Sequence, residues 1–286
     1  TFNGNNHTVS GLYFNDTEAS YVGLFGYVYH DGVVKNTGVI NSYFNAYSKV
    51  AGVAGENWGG TISNCYNTSE VNGAHHYVAG LVALNYYGLI TDSYNTGTVI
   101  GKKGYVGGAV GYNMYSEVEK CYNAGAITGN LEAGGIVGYN FGSSVTNCYN
   151  TGAISDRYNS GGVVGYHYYN STVTNCYSIG KLSVTSDNGS ANSICAEVEG
   201  DAVVSNCYYL EGNSPDANAT AKSSDAFASG EVAYLIQGEQ TEDVWGQKIG
   251  EDNYPTLGGD KVYMKTDAEG NTVYFNEVVE EKTDKL

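Results

Sequence analysis

Apolar positions recur along this chain at one long, fixed interval. A glycine-flanked apolar pair stands at Gly23-Leu-Phe-Gly26, Gly52-Val-Ala-Gly55, Gly80-Leu-Val-Ala83, Gly108-Ala-Val-Gly111, Gly135-Ile-Val-Gly138 and Gly162-Val-Val-Gly165, with a degenerate copy at Ser193-Ile-Cys-Ala196. Successive copies begin 29, 28, 28, 27, 27 and 31 positions apart. A second motif ends in tyrosine and keeps the same period: Asn64-Cys-Tyr66, Asp92-Ser-Tyr94, Lys120-Cys-Tyr122, Asn147-Cys-Tyr149, Asn175-Cys-Tyr177 and Asn206-Cys-Tyr208. Two motifs locked to one period mark a repeat architecture. Glycine interrupts each unit too often for helices of useful length. Leucine-rich repeats need leucines at fixed offsets, and these are missing. Three short strands per unit, joined by bends, satisfy the pattern. The expected fold is all-β: a right-handed parallel β-helix of about seven turns of ~28 residues over 1–209.

Stacking the units gives columns with a direction. Ile62, Ile90, Val118, Val145, Val173 and Val204 form one apolar column, and Val71, Val99, Ile127, Ile154 and Leu182 another; both are expected to face the core. Between them run Asn64, Asp92, Lys120, Asn147, Asn175 and Asn206. Unpaired Asp92 and Lys120 cannot be buried, so this column faces out or sits at a bend, and the neighbouring cysteines point in. The phase of the glycine-flanked strand stays open, because both alternating sets are apolar or small.

Asparagines stack as well. Asn57, Asn85, Asn113 and Asn140 form a ladder that His167 ends, and Asn67, Asn95, Asn123 and Asn150 a second that Ser178 ends. Asparagine tolerates left-handed backbone, and its amide can bond up and down a stack, so these are expected to be structural bend residues. Cys65, Cys121, Cys148, Cys176 and Cys207 share a column with Ser42 and Ser93, while Cys195 replaces Val164. Exchange with serine or valine asks for a small core group, not for zinc, which needs paired ligands at short spacing. Cys121, Cys148 and Cys176 are expected to be free thiols, because parallel turns hold Cβ atoms roughly 4.8 Å apart and a disulfide prefers ~3.8 Å.

One column invites a functional reading. Trp58, Tyr86, Met114, Phe141 and Tyr168 follow the first asparagine ladder, with Tyr87, Tyr115 and Tyr169 beside them. Either these rings pack the corner of the solenoid, or they form an exposed stripe that stacks on sugars or docks a protein. Catalysis has less support. Asp92, Glu117, Glu119, Glu132 and Asp156 share no column, whereas glycan-cleaving sites need clustered carboxylates or a base with cationic partners. His75 and His76, adjacent on a strand, would point to opposite faces and are expected at an exposed bend. No metal, cofactor or catalytic residue is therefore assigned.

Composition narrows the partners. Of 286 residues 40 are glycine and 28 tyrosine, against 2 prolines and 13 lysines plus arginines, a balance that favours strands and tight turns. The net charge of −17 repels phosphate backbones, so nucleic acid is not an expected partner. No apolar run approaches the ~20 residues of a membrane span, and direct membrane insertion is not expected. The opening Thr1-Phe-Asn-Gly-Asn-Asn-His-Thr already reads as strand and turn, as in a segment of a longer protein.

The repeat resembles the GLUG repeat of bacterial surface proteins. Gly23-Leu-Phe-Gly26 and Gly80-Leu-Val-Ala83 carry the likeness most directly, with the Gly-x-Val-x-Asn-Cys-Tyr-Asn-x-Gly pattern that follows. The opening Phe2-Asn-Gly-Asn-Asn-His-Thr-Val-Ser-Gly-Leu is similar to the first turn that precedes such repeats. Ser229-Gly-Glu-Val-Ala-Tyr-Leu and Val244-Trp-Gly-Gln with Tyr254-Pro-Thr-Leu resemble the segment that closes such arrays. The resemblance implies a secreted or wall-attached bacterial protein, often adhesin-like. Some relatives carry the repeats beside an immunoglobulin-cleaving metalloprotease, whose metal-binding signature is absent from this sequence.

Past Tyr209 the composition shifts. Residues 211–222 read as a linker or loop. Ser224-Asp-Ala-Phe-Ala-Ser-Gly-Glu-Val-Ala-Tyr-Leu-Ile reads as one helix weakened by Gly230, with Ser223 or Ser224 as N-cap and Phe227, Val232, Tyr234 and Leu235 as its apolar face. Residues 262–276 read as a hairpin, and the tail from Glu277 is acidic. The segment 210–286 carries 16 acidic and 6 basic residues, so −10 of the −17, and is expected to cap the solenoid. Taken together, the expectation is a monomeric scaffold or adhesin-like module, secreted or on the cell surface and without catalytic activity. Its partner would be a host glycan or an extracellular protein. A carbohydrate-active β-helix enzyme and an inert spacer are the alternatives.

Overall fold

The computed structural model describes residues 1–277. The acidic tail beyond Glu277 lies outside the described residues. Seven turns stack in parallel over residues 2–199, and an eighth begins with Val203–Ser205 and Tyr208–Leu210. Three sheets form the walls. The first begins with Phe2–Ser10, Val33–Ile40 and Thr61–Asn67, and the second with Tyr13–Val22 and Tyr43–Ala51. The third has seven five-residue strands: Phe25–Tyr29, Ala54–Trp58, Val82–Tyr86, Val110–Met114, Val137–Phe141, Val164–Tyr168 and Cys195–Glu199.

The backbone turns left-handed along one column of the first sheet, at Asn36 and Asn64 without breaking the strand. From the fourth turn on, each first-sheet strand splits in two around Asp92, Lys120, Asn147, Asn175 or Asn206, which have φ of 47° to 54°. This is the polar column expected at a bend. Asparagine and aspartate accept that conformation at low cost. The asparagines of the two ladders do not adopt it, so the left-handed backbone expected of them belongs to a different column.

The core follows the expected columns. Ile62, Ile90, Val118, Val145 and Val173 are in register on successive turns and fully buried. Val71, Val99, Ile127 and Ile154 do the same, while Leu182 is half-exposed. The glycine-flanked motif is not a continuous strand. The N–H groups of Leu81 and Val82 both donate to the Ala109 carbonyl, at 3.2 and 2.9 Å, and those of Ala109 and Val110 both donate to Ile136, at 3.0 and 2.9 Å. The apolar pair therefore straddles a corner, the alternation restarts there, and both members enter the core. The leading glycine is needed because the second asparagine ladder packs against it: a Cβ on Gly108 would meet Asn123 Cγ at 2.5 Å and the Gly135 carbonyl at 2.1 Å.

Both asparagine ladders lie inside the wall. Asn57, Asn85 and Asn113 each pass an amide hydrogen to the Oδ1 of the next turn, at 2.8 to 2.9 Å, and all are fully buried. In the second ladder each asparagine also forms a local ring, as when Asn95 donates to Gly97 O at 2.8 Å and accepts from Gly97 N at 3.2 Å. The six cysteines are buried free thiols. Ser42 is not the neighbour of Cys65: Thr37 is, because the second turn reaches this column five residues before Ser42.

The last complete turn has N–H groups with no further turn to accept them. Asp216 fills that role, its Oδ2 accepting from Ile194 N and Cys195 N at 2.9 Å each. Residues 211–222, expected as a linker, thus fold onto the seventh turn, with Asp216 buried. The chain divides into compact units Thr1–Ala221 and Lys222–Leu286, later than the boundary expected at Tyr209.

In the second unit the expected single helix is two. Helix α1 (Ser224–Ala228) is capped by Ser223, whose Oγ accepts from Ala226 N at 3.1 Å, and α2 (Glu231–Gln237) follows Gly230 at φ 88°. That glycine breaks the helix because its backbone is left-handed. The buried face is Phe227, Val232, Ala233 and Ile236; Tyr234 and Leu235 are half-exposed. Tyr263–Thr266 and Thr272–Phe275 form the expected hairpin.

Candidate binding face

The third sheet's outer side gathers the rings. Trp58, Tyr86, Met114, Phe141 and Tyr168 stand in register on five successive strands, preceded by Tyr29. Two residues earlier on each strand lies a parallel column that the sequence reading missed: Tyr27, Glu56, Leu84, Tyr112, Tyr139 and Tyr166. Spacing alone hides it, since glutamate and leucine interrupt the tyrosines. The exposed rings Tyr21, Tyr27, Tyr29, Trp58, Tyr87, Tyr115 and Tyr169 belong to this face and its edges, against Phe2, Tyr13 and Tyr47 elsewhere. The stripe expected at this position is therefore outside the core.

The edges are framed by tyrosines in left-handed backbone. On one side are Tyr87, Tyr115 and Tyr169 at φ 53°, 50° and 54°; on the other are Tyr21, Tyr77 and Tyr105 at φ 62°, 65° and 66°. Bulky residues rarely adopt this conformation, which costs about 1–3 kcal/mol each. Glycine has a positive φ at the corresponding corners Gly59, Gly142 and Gly200. The rings touch one another across turns: Tyr87 stacks on Tyr115 at 5.5 Å and 15°, and Tyr115 meets Phe141 edge-on at 5.4 Å and 82°.

A different ladder runs along the first sheet. Tyr66, Tyr94, Tyr122, Tyr149 and Tyr177 stack at 4.7 to 5.0 Å with interplanar angles of 1° to 9°. Each inner ring there has both faces covered by its neighbours. On the third sheet, Trp58 and Tyr86 cross at 80°, so their faces cannot both be hidden in one stack. A hollow of about 280 Å³ opens beside them around Leu84, bordered by Glu56, Tyr77 and Tyr112.

Lys49 and Glu56 pair on this face, and several other groups are pushed toward their neutral form. Lys49 Nζ donates to Glu56 Oε2 at 2.6 Å and lies 4.3 Å from the centre of the Tyr21 ring. Burial disfavours that ammonium, but its hydrogen bonds to Glu56 and Tyr21 hold it above its ordinary range. Burial, with Glu56 next to it, raises the Tyr27 hydroxyl to about 12. At the lower edge, burial and then Asp156 raise Glu132 to about 7, and burial raises Asp156 to about 6. Glu132 and Asp156 occupy different columns, as expected, yet the corner brings them close enough to interact. Asp156 Oδ1 accepts from Tyr158 N and Asn159 N at 2.7 and 3.2 Å, its Oδ2 has no partner, and the residue is 2% exposed. His75 and His76 lie at a bend with ring centres 4.4 Å apart, not on opposite strand faces, because no strand runs through them.

The fold and its corners define a parallel β-solenoid built from repeats. The GLUG motif matches four times, at residues 74–100, 104–128, 129–155 and 156–185, all within the solenoid. Its fold is similar to a crystal structure described as a candidate immunoglobulin A1 protease from Bacteroides ovatus, with a TM-score of 0.50 and 18% identity over 90% of this chain and 76% of that one. At that identity the likeness concerns the fold alone. The comparison with curated proteins gives no match. Among the described residues no helix is long and apolar enough to cross a membrane.

Proposed function

We propose that this chain is an extracellular, adhesin-like binding module that acts without catalysis, and that the outer face of the third sheet is its binding surface. The observation that carries this reading is the set of six tyrosines held in left-handed backbone along both edges of that sheet. Residues kept in such a conformation against its cost point to a role beyond packing. The GLUG repeats support an extracellular setting, and the net charge of −17 argues against polyanionic partners. Burial of Asp156 supports the non-catalytic reading, since its carboxylate is not presented to a polymer on the surface.

The test is an array of host and plant glycans and extracellular matrix proteins, probed with the wild-type chain and with Tyr115→Ala. The proposal expects at least one ligand that the variant binds at least tenfold more weakly. An array without hits, or hits indifferent to Tyr115 and Trp58 substitutions, would favour an inert spacer. Release of reducing ends from any glycan would favour an enzyme.

A further inference from the structure

We propose that the hollow at Leu84 is a subsite for one pyranose ring of a neutral glycan chain. This rests on the reading of the third sheet as the binding face. In the outward column Tyr112, Tyr139 and Tyr166 pack ring to ring at 5.0 and 4.8 Å, but the two turns before Tyr112 carry Glu56 and Leu84. The ring ladder is interrupted, and the gap is the hollow of about 280 Å³. That is just below the roughly 300–1,000 Å³ of sites that enclose a drug-sized ligand, which suits a single sugar ring on a longer chain.

Ring geometry and charge select the ligand class. A pyranose presents a face of C–H groups and a rim of hydroxyls. Trp58 and Tyr86, crossed at 80°, offer ring surface to the former. Tyr77, Tyr86 and Tyr112 line the hollow, and phenols are groups that hydrogen-bond such hydroxyls. An anionic sugar would find no free cation in the hollow, because Lys49 is bound to Glu56. A quaternary ammonium would meet Lys49 already placed 4.3 Å from the Tyr21 ring centre and 6.0 Å from that of Tyr77. The ligand that fits is therefore uncharged.

The experiment titrates the full chain with cellohexaose, laminarihexaose, mannohexaose, xylohexaose, hexagalacturonate and choline. Trp58 emission is the readout, since Trp245 is buried in the other unit. The expected result is saturable binding of at least one neutral hexasaccharide, with affinity reduced at least tenfold by Leu84→Tyr. That substitution restores the ring found at Tyr112 and fills the hollow, so melting should be unchanged. Tyr94→Ala, on the first-sheet ladder, should leave binding intact. Binding of hexagalacturonate or choline in place of the neutral chains, or of no neutral chain, would overturn the inference. Neutral binding that survives Leu84→Tyr but falls with Tyr115→Ala would overturn the subsite while sparing the binding face.

Discussion

Asn140 donates its amide hydrogen to Nδ1 of His167 across 3.2 Å, where the first asparagine ladder ends. The other Asn140 amide hydrogen goes to Ser143 O, and its Oδ1 accepts from Asn113. His167 Nδ1 must therefore be the bare nitrogen, with Nε2–H donating to Val203 O at 3.2 Å. Burial lowers this imidazole from 6.5 to about 4. The unfolded chain takes up the proton first, so this group's contribution to stability is full above pH 6.5 and is lost as pH falls toward 4. His167→Asn, which extends the ladder with an uncharged amide, should flatten the decline in stability over that window. Urea unfolding of both proteins at pH 4.5 and 7 checks it; equal declines would contradict the assignment.

Glu132 and Asp156 act in the opposite direction. Their folded-state values, about 7 and about 6, lie above the ordinary 4.5 and 3.8. The folded state keeps protons that the unfolded state has released, so stability falls as pH rises from about 4 through 7. Asp156→Asn retains an Oδ1 acceptor for Tyr158 N and Asn159 N while removing the charge. It should melt above the wild type at pH 8 and close to it at pH 4. A variant that melts below the wild type at pH 8 would mean that the ionised carboxylate is stabilising.

The ladder should be costly to cut in the middle. Asn113→Ala leaves the Asn85 amide hydrogen and the Asn140 Oδ1 without their partners in a buried wall. At about 1–3 kcal/mol for each orphaned group, chemical denaturation should show a loss of roughly 2–6 kcal/mol. A loss below about 1 kcal/mol would mean that water or a neighbour replaces the amide.

Asp216 closes the hydrogen-bond pattern of the seventh turn. Asp216→Ala removes three bonds to a carboxylate, from Ile194 N, Cys195 N and Asn218 N, each worth about 1.5–3 kcal/mol, and leaves the first two amides at the end of the third sheet without that acceptor. Amide hydrogen exchange should accelerate most at Ile194 and Cys195. Unchanged protection at those two amides would refute the capping role.

Six free thiols should react when the protein is denatured without reductant. Cys121, Cys148, Cys176 and Cys207 are neighbours on successive turns, and their sulfurs lie 3.1 to 3.2 Å from carbonyl oxygens of their own strands. That geometry fits thiols donating to backbone. A titration near zero would show a crosslinked column instead.

Much of this was legible because a solenoid repeats its reasons. The period, the inward columns at Val118 and Ile127, and the ladder through Asn113 each recur on several turns, so a local pattern had several independent witnesses. What the sequence hid lies where repetition fails. The corner inside the glycine-flanked motif breaks strand alternation, so burial of both Leu81 and Val82 could not be assigned a phase. The second turn is spaced differently, so Thr37 and not Ser42 stands beside Cys65. The column containing Tyr112 carries no continuous sequence signal because Leu84 and Glu56 interrupt it. That interruption is the candidate subsite.

The central claim is that the edge tyrosines serve binding rather than packing, and the triple variant Tyr87→Gly, Tyr115→Gly, Tyr169→Gly tests it most directly. Glycine relieves left-handed strain of about 1–3 kcal/mol per site. Against this stand lost ring contacts of about 0.5–1.5 kcal/mol and a glycine entropy cost of about 0.5–1 kcal/mol. Relief and cost are of similar size at each site, so the expected result is no large loss of unfolding free energy, together with loss of binding to whatever the wild-type face retains on the array. A variant destabilised by several kcal/mol that still binds as wild type would contradict it, and would return these rings to the role of corner packing.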